Sequence, residues 1–111
     1  MSTLSVEGRD IGLDQDGYLL ELDDWSPAVA EALAAREGIV LSAAHWEILE
    51  LLRRFYAEFQ LSPATRPLIR YTAQQLGAEK GNSLHLNQLF HGTPAKLAAK
   101  LAGLPKPTNC I

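Results

Sequence analysis

The sequence predicts an α+β fold that is mostly α-helical, with a small N-terminal β-hairpin or meander followed by about five helices. Short alternating apolar segments lie before residue 22, capped segments with helical apolar spacing follow it, and the chain ends in the tail "GLPKPTNCI". The 111 residues are 47% hydrophobic and close to the commonest domain length. We therefore expect a single globular domain over residues 1–103 and a flexible C-terminal arm over residues 104–111.

Three short strands are predicted at the N-terminus, over residues 3–6, 9–12 and 18–21. The first alternates apolar and polar side chains, with Leu4 and Val6 on one face. The dipeptide "EG" separates the first two segments, and "DQDG" precedes the third. Both are turn signals, so the three segments are predicted to form a small antiparallel sheet.

The first two helices are predicted to begin after serine caps. Ser26 precedes a proline at the first helical position, and Gly38 follows the helix end. Ser42 is the predicted N-cap of the second helix. Apolar residues recur in that helix at spacings of three and four from Trp46 to Phe59. So broad an apolar stripe predicts a central helix that packs on more than one side.

Three further helices are predicted from the remaining caps. In "LSPATRPLIRYTAQQLG", Ser62 is the expected N-cap with a proline at the first helical position, and Gly77 ends the helix. "SLHLNQLF" follows as a short helix, capped by Asn82 or Ser83. The last helix, "PAKLAAKLAG", ends at Gly103.

The segments 62–76 and 82–90 form a helix-turn-helix-like pair, which leaves a nucleic-acid-binding regulator as an alternative function. The second segment offers Asn87 and Gln88 but no arginine. Base-reading helices usually carry arginine, asparagine or glutamine at their N-terminal end. The pair therefore supports this alternative only weakly.

The charges divide unevenly along the chain. Residues 1–50 carry a net charge of −9 and residues 51–111 a net charge of +6. This polarity indicates either a surface for an anionic partner or mutual attraction between the two halves. Binding to an anionic partner should weaken as salt rises if a contiguous basic surface is formed by Arg53, Arg54, Arg66, Arg70, Lys96 and Lys100. The residues predicted to contact a partner protein or RNA are Arg66, Arg70, Lys100 and Lys106.

No cofactor or metal is expected. His45 lies at a helix start and is predicted to be structural, while His85 and His91 flank a short helix without a carboxylate or cysteine at ligand spacing. One cysteine excludes an internal disulfide and fits a reducing compartment. The N-terminus lacks the pattern of a signal peptide, and no apolar run approaches the roughly 18 residues that span a bilayer. The sequence therefore predicts a cytoplasmic protein.

The single cysteine, Cys110, is the predicted catalytic residue. It is the penultimate residue of the tail, so we expect it to be exposed and accessible to alkylating reagents in the native protein. Pro105 and Pro107 favour an extended backbone, which would carry the sulfur on the order of 25 Å from the last helix. Such reach suits the transfer of a group between the active sites of other proteins.

The tail "AGLPKPTNCI" resembles the C-terminal signature of the DsrC/TusE family, in which a penultimate cysteine follows a "GLPKP" segment. The blocks "DGYL", "EGIVLSAAHWEIL", "RRFYAEFQLSPATRPLI" and "GAEKGNS" extend the resemblance over almost the whole chain. The resemblance implies a compact, mostly helical fold with a mobile C-terminal arm. It also implies a sulfur carrier that holds a persulfide on Cys110.

Ala99 stands where the DsrC branch of the family has a second cysteine, so the chain is more similar to the TusE branch. That similarity implies a sulfurtransferase that accepts sulfur from a TusBCD-type complex. The acceptor would be an MnmA-type thiouridylase with its tRNA, which forms 2-thiouridine at the wobble position. The alternative is a DsrC-like sulfur-metabolism or regulatory protein associated with sulfite reductase or nucleic acid. The chain departs from many relatives at residues 84–86 and 91–92, which affects the expected partner contacts.

Overall fold

The computed structural model describes residues 2–107 of the chain. Within this range an N-terminal hairpin is followed by a 3-10 turn and five α-helices, which confirms the predicted α+β, mostly helical fold. In chain order the elements are β1 (Ser2–Val6), β2 (Arg9–Leu13), a 3-10 helix (Leu22–Asp24), α1 (Pro27–Arg36), α2 (Ala43–Phe59), α3 (Thr65–Leu76), α4 (Ser83–Phe90) and α5 (Pro94–Leu101).

β1 and β2 pair as an antiparallel hairpin, as the alternating pattern predicted. The turn residues Glu7 and Gly8 have positive φ angles of 51° and 79°. Two successive positive φ angles give the turn a twist that matches the twist of the strands on either side. The hairpin contacts α1, and one face of the hairpin is buried. The buried side chains are Leu4, Val6, Ile11 and Leu13.

The predicted third strand over residues 18–21 is wrong. These residues make no ladder with the hairpin beyond an isolated bridge between Leu19 and Leu13, beside which the amide of Leu20 donates to the carbonyl of Gly12 at 3.0 Å. The carboxylate of Asp14 accepts a hydrogen bond from the backbone amide of Tyr18 at 3.0 Å, which bends the chain before the predicted strand. Tyr18 and Leu19 are both buried, so the two-residue alternation of a strand is lost. A 3-10 helix then follows in place of further pairing.

Four of the predicted helix boundaries are confirmed. Ser26 accepts a hydrogen bond from the third residue of α1, and Ser42 forms a reciprocal capping box with His45 at the start of α2. Gly77 ends α3, and the side chain of Asn82 caps α4. These local signals were sufficient because each cap involves residues within one turn of the chain.

The predicted cap of α3 is wrong. The helix begins at Thr65, its N-cap is Ala64, and no side chain caps it. The hydroxyl of Ser62 instead donates a hydrogen bond of 2.5 Å to the carbonyl oxygen of Pro105, 43 positions further along the chain. A tertiary contact therefore uses the side chain that the Ser-Pro pattern assigned to a local cap.

α5 is the central helix of the described chain, and α2 packs on both α3 and α5, as its broad apolar stripe predicted. α5 contacts α1, α2, α3 and α4, although it is only eight residues long. Small side chains allow this close approach from several directions. Its buried residues are Pro94, Ala95, Leu97, Ala98, Ala99 and Leu101. No helix within residues 2–107 is long and apolar enough to cross a membrane.

α5 ends in a Schellman motif. The amide of Gly103 donates to the carbonyl of Lys100 at 3.2 Å, and the amide of Leu104 donates to the carbonyl of Ala99 at 2.9 Å. Gly103 has a φ of +74°, and a Cβ at this position would lie 2.3 Å from Cδ1 of Trp25. The "GLP" segment therefore stops the helix, and only glycine fits both the backbone and the space.

We predict that Gly103→Ala destabilises the fold more than Gly38→Ala. Gly38 follows α1 with nearly the same φ, +75°, but a Cβ there would have no neighbour within 4 Å. The left-handed conformation should cost each variant about 1–2 kcal/mol, whereas the clash with Trp25 should cost Gly103→Ala about 1–3 kcal/mol more. Urea unfolding measures both values. Equal losses for the two variants would show that Trp25 does not confine this position.

Candidate functional site

The predicted catalytic residue, Cys110, lies outside the described residues, and its accessibility stays a prediction. The structure does describe the point from which the tail starts, because the chain is defined through Pro107. The described part of the candidate site is therefore the base of the tail. Three features define that base: the end of α5, the segment 104–107, and a cleft beside both.

Two side chains complete the end of α5. The indole Nε1 of Trp25 donates to the carbonyl of Leu101 at 2.9 Å, and a guanidinium nitrogen of Arg53 donates to the carbonyl of Ala102 at 2.7 Å. The Arg53 guanidinium also lies over the Trp25 ring, 4.0 Å from its centroid. Terminal helix carbonyls have no partner within the helix, so these bonds satisfy groups that would otherwise be unpaired.

Arg53 therefore has a structural role that the sequence did not predict, and its side chain is only partly exposed. Desolvation by burial lowers the pKa of its guanidinium below the usual value. Arginine stays protonated even so, and the cation–π contact and the carbonyl bond compensate for the lost water. Arg54, its neighbour in α2, is exposed.

Residues 104–107, here called the base segment, lie against the domain. Leu104 is only 3% exposed, and Pro107 is buried. Between them, Pro105 accepts the hydrogen bond from Ser62. The Nζ of Lys106 lies 3.3 Å from the carboxylate of Asp16. The domain contacts thus continue past the predicted boundary at residue 103, while the flexibility of the arm stays a prediction.

A cleft of about 450 Å³ lies beside the base segment. Three lysines line it, Lys96 and Lys100 from one side of α5 and Lys106 from the base segment. Two carboxylates face them, because Glu37 pairs with Lys100 at 3.3 Å and Asp16 pairs with Lys106. The cleft therefore carries mixed charge with one more cation than anion among these groups.

The structure separates the four predicted contact residues into two pairs. Lys100 and Lys106 line the cleft, whereas Arg66 and Arg70 are exposed one turn apart on α3 and do not line it. Three described ion pairs join the acidic half of the chain to the basic half. They are Lys80–Glu47, Lys100–Glu37 and Lys106–Asp16. Part of the charge polarity thus serves contacts between the halves.

The histidines have different surroundings. His45 is structural, as predicted: its Nδ1 accepts from the Ser42 amide at 3.0 Å, and its Nε2 lies 2.9 Å from the carbonyl of Leu89. The Nε2 of His85 is buried without a hydrogen-bond partner among the described residues, and His91 lines the cleft. Residues 2–107 contain no group of three His, Cys, Asp or Glu side chains that could hold a metal ion.

Two family-related positions also have defined places. Ala99 is fully buried in α5, so its side chain belongs to the core. In the divergent segment 84–86, Leu84 is 67% exposed and Leu86 is fully buried. Leu84, where the chain differs from many relatives, therefore lies on the surface of α4.

Ser62, Asp16 and Trp25 belong to the site and were not predicted from the sequence. Ser62 matched a local cap and Asp16 a turn, and neither pattern carries information about a partner 43 or 90 positions away. Trp25 offered one usable signal. A tryptophan just before a helix N-cap needs a partner for its N–H when it is partly buried.

The chain belongs to the DsrC-like family. The family model described as "DsrC like protein" matches residues 5–111. Sulfurtransferase TusE of Salmonella typhimurium is 54% identical over 108 residues, which cover 97% of this chain and 99% of that protein. Sulfurtransferase TusE of Yersinia pestis is 53% identical over the same shares of the two chains. The predicted family and the predicted sulfurtransferase class are confirmed.

Solved structures agree with this assignment. The NMR structure of Allochromatium vinosum DsrC has a TM-score of 0.91 and 44% identity, covering 99% of this chain and 98% of that one. The crystal structure of the oxidized gamma-subunit of the dissimilatory sulfite reductase (DsrC) from Archaeoglobus fulgidus has a TM-score of 0.85 and 35% identity. That match covers 98% of this chain and 99% of the other.

We predict that Arg53→Met lowers the free energy of unfolding by about 1–2 kcal/mol, through the lost charged hydrogen bond and cation–π contact. Methionine keeps an unbranched stem and a similar helix propensity. Arg54→Met is the matched control on the same helix and should change stability by about 0.5 kcal/mol or less. Urea unfolding measures both. If Arg53→Met is as mild as the control, the cap of α5 does not depend on the guanidinium.

Proposed function

We propose that this protein is a cytoplasmic sulfur-relay carrier for tRNA thiolation. Cys110 accepts sulfur from a TusBCD-type complex and passes it to an MnmA-type thiouridylase, which forms 2-thiouridine at the wobble position. The observation that carries the proposal is the 54% identity, over nearly the whole chain, to proteins named Sulfurtransferase TusE. The chain has a single cysteine, so Cys110 is its one candidate for thiol chemistry.

The proposed transfer conserves atoms and electrons. The Cys110 thiolate attacks the outer sulfur of a persulfide on the donor, and a new S–S bond forms on Cys110 while the donor's S–S bond breaks. The donor leaves as a thiolate. A thiolate of the acceptor then attacks the outer sulfur on Cys110 and regenerates the Cys110 thiolate. Thiolates are the nucleophiles in such exchanges, and no external oxidant or reductant is needed.

The described geometry supports a carrier. A carrier must present its sulfur to two different active sites, so the cysteine should project from a rigid body. The Schellman motif, Trp25 and Arg53 hold the end of α5 in place. Cys110 follows Pro107 by three residues, which at most about 3.6 Å each can carry it roughly 11 Å from that point.

Partner contacts are proposed at Arg66, Arg70, Lys100 and Lys106. The two arginines are exposed on α3 and available to an anionic group of the acceptor or its tRNA. The two lysines line the cleft, Lys100 from α5 and Lys106 from the base segment.

A role associated with sulfite reductase is the second candidate, since the chain is similar in structure to the Archaeoglobus fulgidus gamma-subunit. Against it stands Ala99, which provides no second thiol for an internal disulfide. A nucleic-acid-binding regulator has less support, because α3 packs on α2 and α5 while α4 packs on α5.

We predict that Cys110→Ser abolishes sulfur transfer and leaves the fold intact. A serine oxygen cannot hold a persulfide and is a far weaker nucleophile than a thiolate. The measurement is the 2-thiouridine content of tRNA in cells that depend on each variant, with the urea midpoint as a control for folding. Normal thiolation by the serine variant would refute Cys110 as the carrier.

We also predict that Arg66→Gln combined with Arg70→Gln weakens binding to the thiouridylase–tRNA complex. Two exposed charges worth about 0.5–1 kcal/mol each correspond to roughly a tenfold rise in Kd at low salt. The effect should shrink as salt screens the charges. Arg36→Gln, an exposed arginine in the acidic half, is the control. A Kd equal to that of the control would remove α3 from the interface.

A further inference from the structure

The base segment is held against the domain, whereas a flexible arm would make few such contacts. Leu104 is buried beneath the end of α5, and its amide bond to Ala99 belongs to the helix cap. Pro107, three residues later, is buried as well. The chain between these two anchors is held by one hydrogen bond and one ion pair.

Both of these bonds come from side chains that are distant in sequence. Ser62 is 8% exposed, and its hydroxyl donates to the carbonyl of Pro105. Asp16 lies in the turn after β2, and its carboxylate pairs with Lys106 at 3.3 Å. Pro105 has no amide hydrogen of its own, so its carbonyl is its single backbone hydrogen-bonding group. Ser62 thus binds the backbone carbonyl of Pro105, and Asp16 binds the side-chain ammonium of the next residue, Lys106.

We propose that Ser62 and Asp16 are positioning residues for the sulfur carried on Cys110. They hold the base segment on the domain, so that any free movement of the predicted arm starts after Pro107 instead of after Gly103. This inference rests on the proposed carrier function, because it concerns how far and how often Cys110 reaches an acceptor.

The length of chain between the last anchored residue and Cys110 determines how often Cys110 meets an acceptor thiol. From Pro107 to Cys110 the chain has three residues, and from Leu104 it has six. The effective concentration of a tethered group falls roughly as the −3/2 power of tether length, so doubling the length lowers it about threefold. A short tether also loses less conformational entropy when the cysteine docks.

Anchoring of the base segment also shapes the cleft. Lys106 forms part of its wall only while the base segment lies on the domain. Release of Lys106 from Asp16 would open that wall and move a positive charge away from Lys100 and Lys96. The anchor therefore determines both the starting point of the arm and the surface beside it.

The test compares Ser62→Ala, Asp16→Asn and the double variant with Ser5→Ala and Asp23→Asn. Ser5 and Asp23 are exposed, and neither forms a hydrogen bond or ion pair with the base segment. Nitrogen-15 relaxation of the Lys106 amide reports the anchor directly. We expect an order parameter of about 0.85 in the unaltered protein and both controls, and below about 0.6 in the double variant. Exchange of the Leu104 amide should stay slow throughout, since its bond to Ala99 involves neither side chain.

The functional measurement is single-turnover transfer of sulfur from persulfidated Cys110 to the acceptor thiol. At saturating acceptor the double variant should be about threefold slower, with the half-saturating acceptor concentration unchanged. A flexible Lys106 in the unaltered protein, an unchanged order parameter in the double variant, or transfer as fast as in the controls would each overturn the proposal. If the unaltered protein transfers no sulfur, the carrier function itself fails, while the relaxation data still decide whether the segment is anchored.

Discussion

The end of α5 is the constraint on which the rest of the structure depends. Its terminal carbonyls are satisfied by the amides of Gly103 and Leu104 and by the side chains of Trp25 and Arg53. These partners come from the segment before α1, from α2 and from the tail itself. A buried helix end without partners would carry a large desolvation cost, so the cap joins three parts of the chain at one point.

This cap also gives a carrier what its chemistry requires. α5 lies in the middle of the domain, and its small side chains let four other helices approach it. The point where the chain leaves α5 therefore moves only if the core moves. A reactive residue a few positions further on starts from a rigid origin, which limits the entropy lost when it enters a partner's active site.

Ion pairs also connect the two halves of the chain near the end of α5. The acidic N-terminal half and the basic C-terminal half meet in ion pairs, two of which border the cleft next to the base segment. Exposed pairs of this kind contribute little to stability. Their effect is on geometry, because they orient the lysines of the cleft and the first residues of the tail. Arg66 and Arg70 remain outside these pairs, on the surface of α3.

The sequence by itself determined the family, the hairpin and most helix boundaries, and it is the source of the proposal that Cys110 carries the sulfur. These features depend on local periodicity, on caps within one helical turn and on a motif that is continuous in the chain. Residues 18–21 do not form a strand because the local Asp14–Tyr18 hydrogen bond bends the chain. Only the tertiary structure decided that Ser62 binds Pro105, that Arg53 is structural and that α5 is central. Each of these depends on contacts between residues distant in sequence, and such contacts override local preference because burial and paired polar groups outweigh the small energies of capping and propensity.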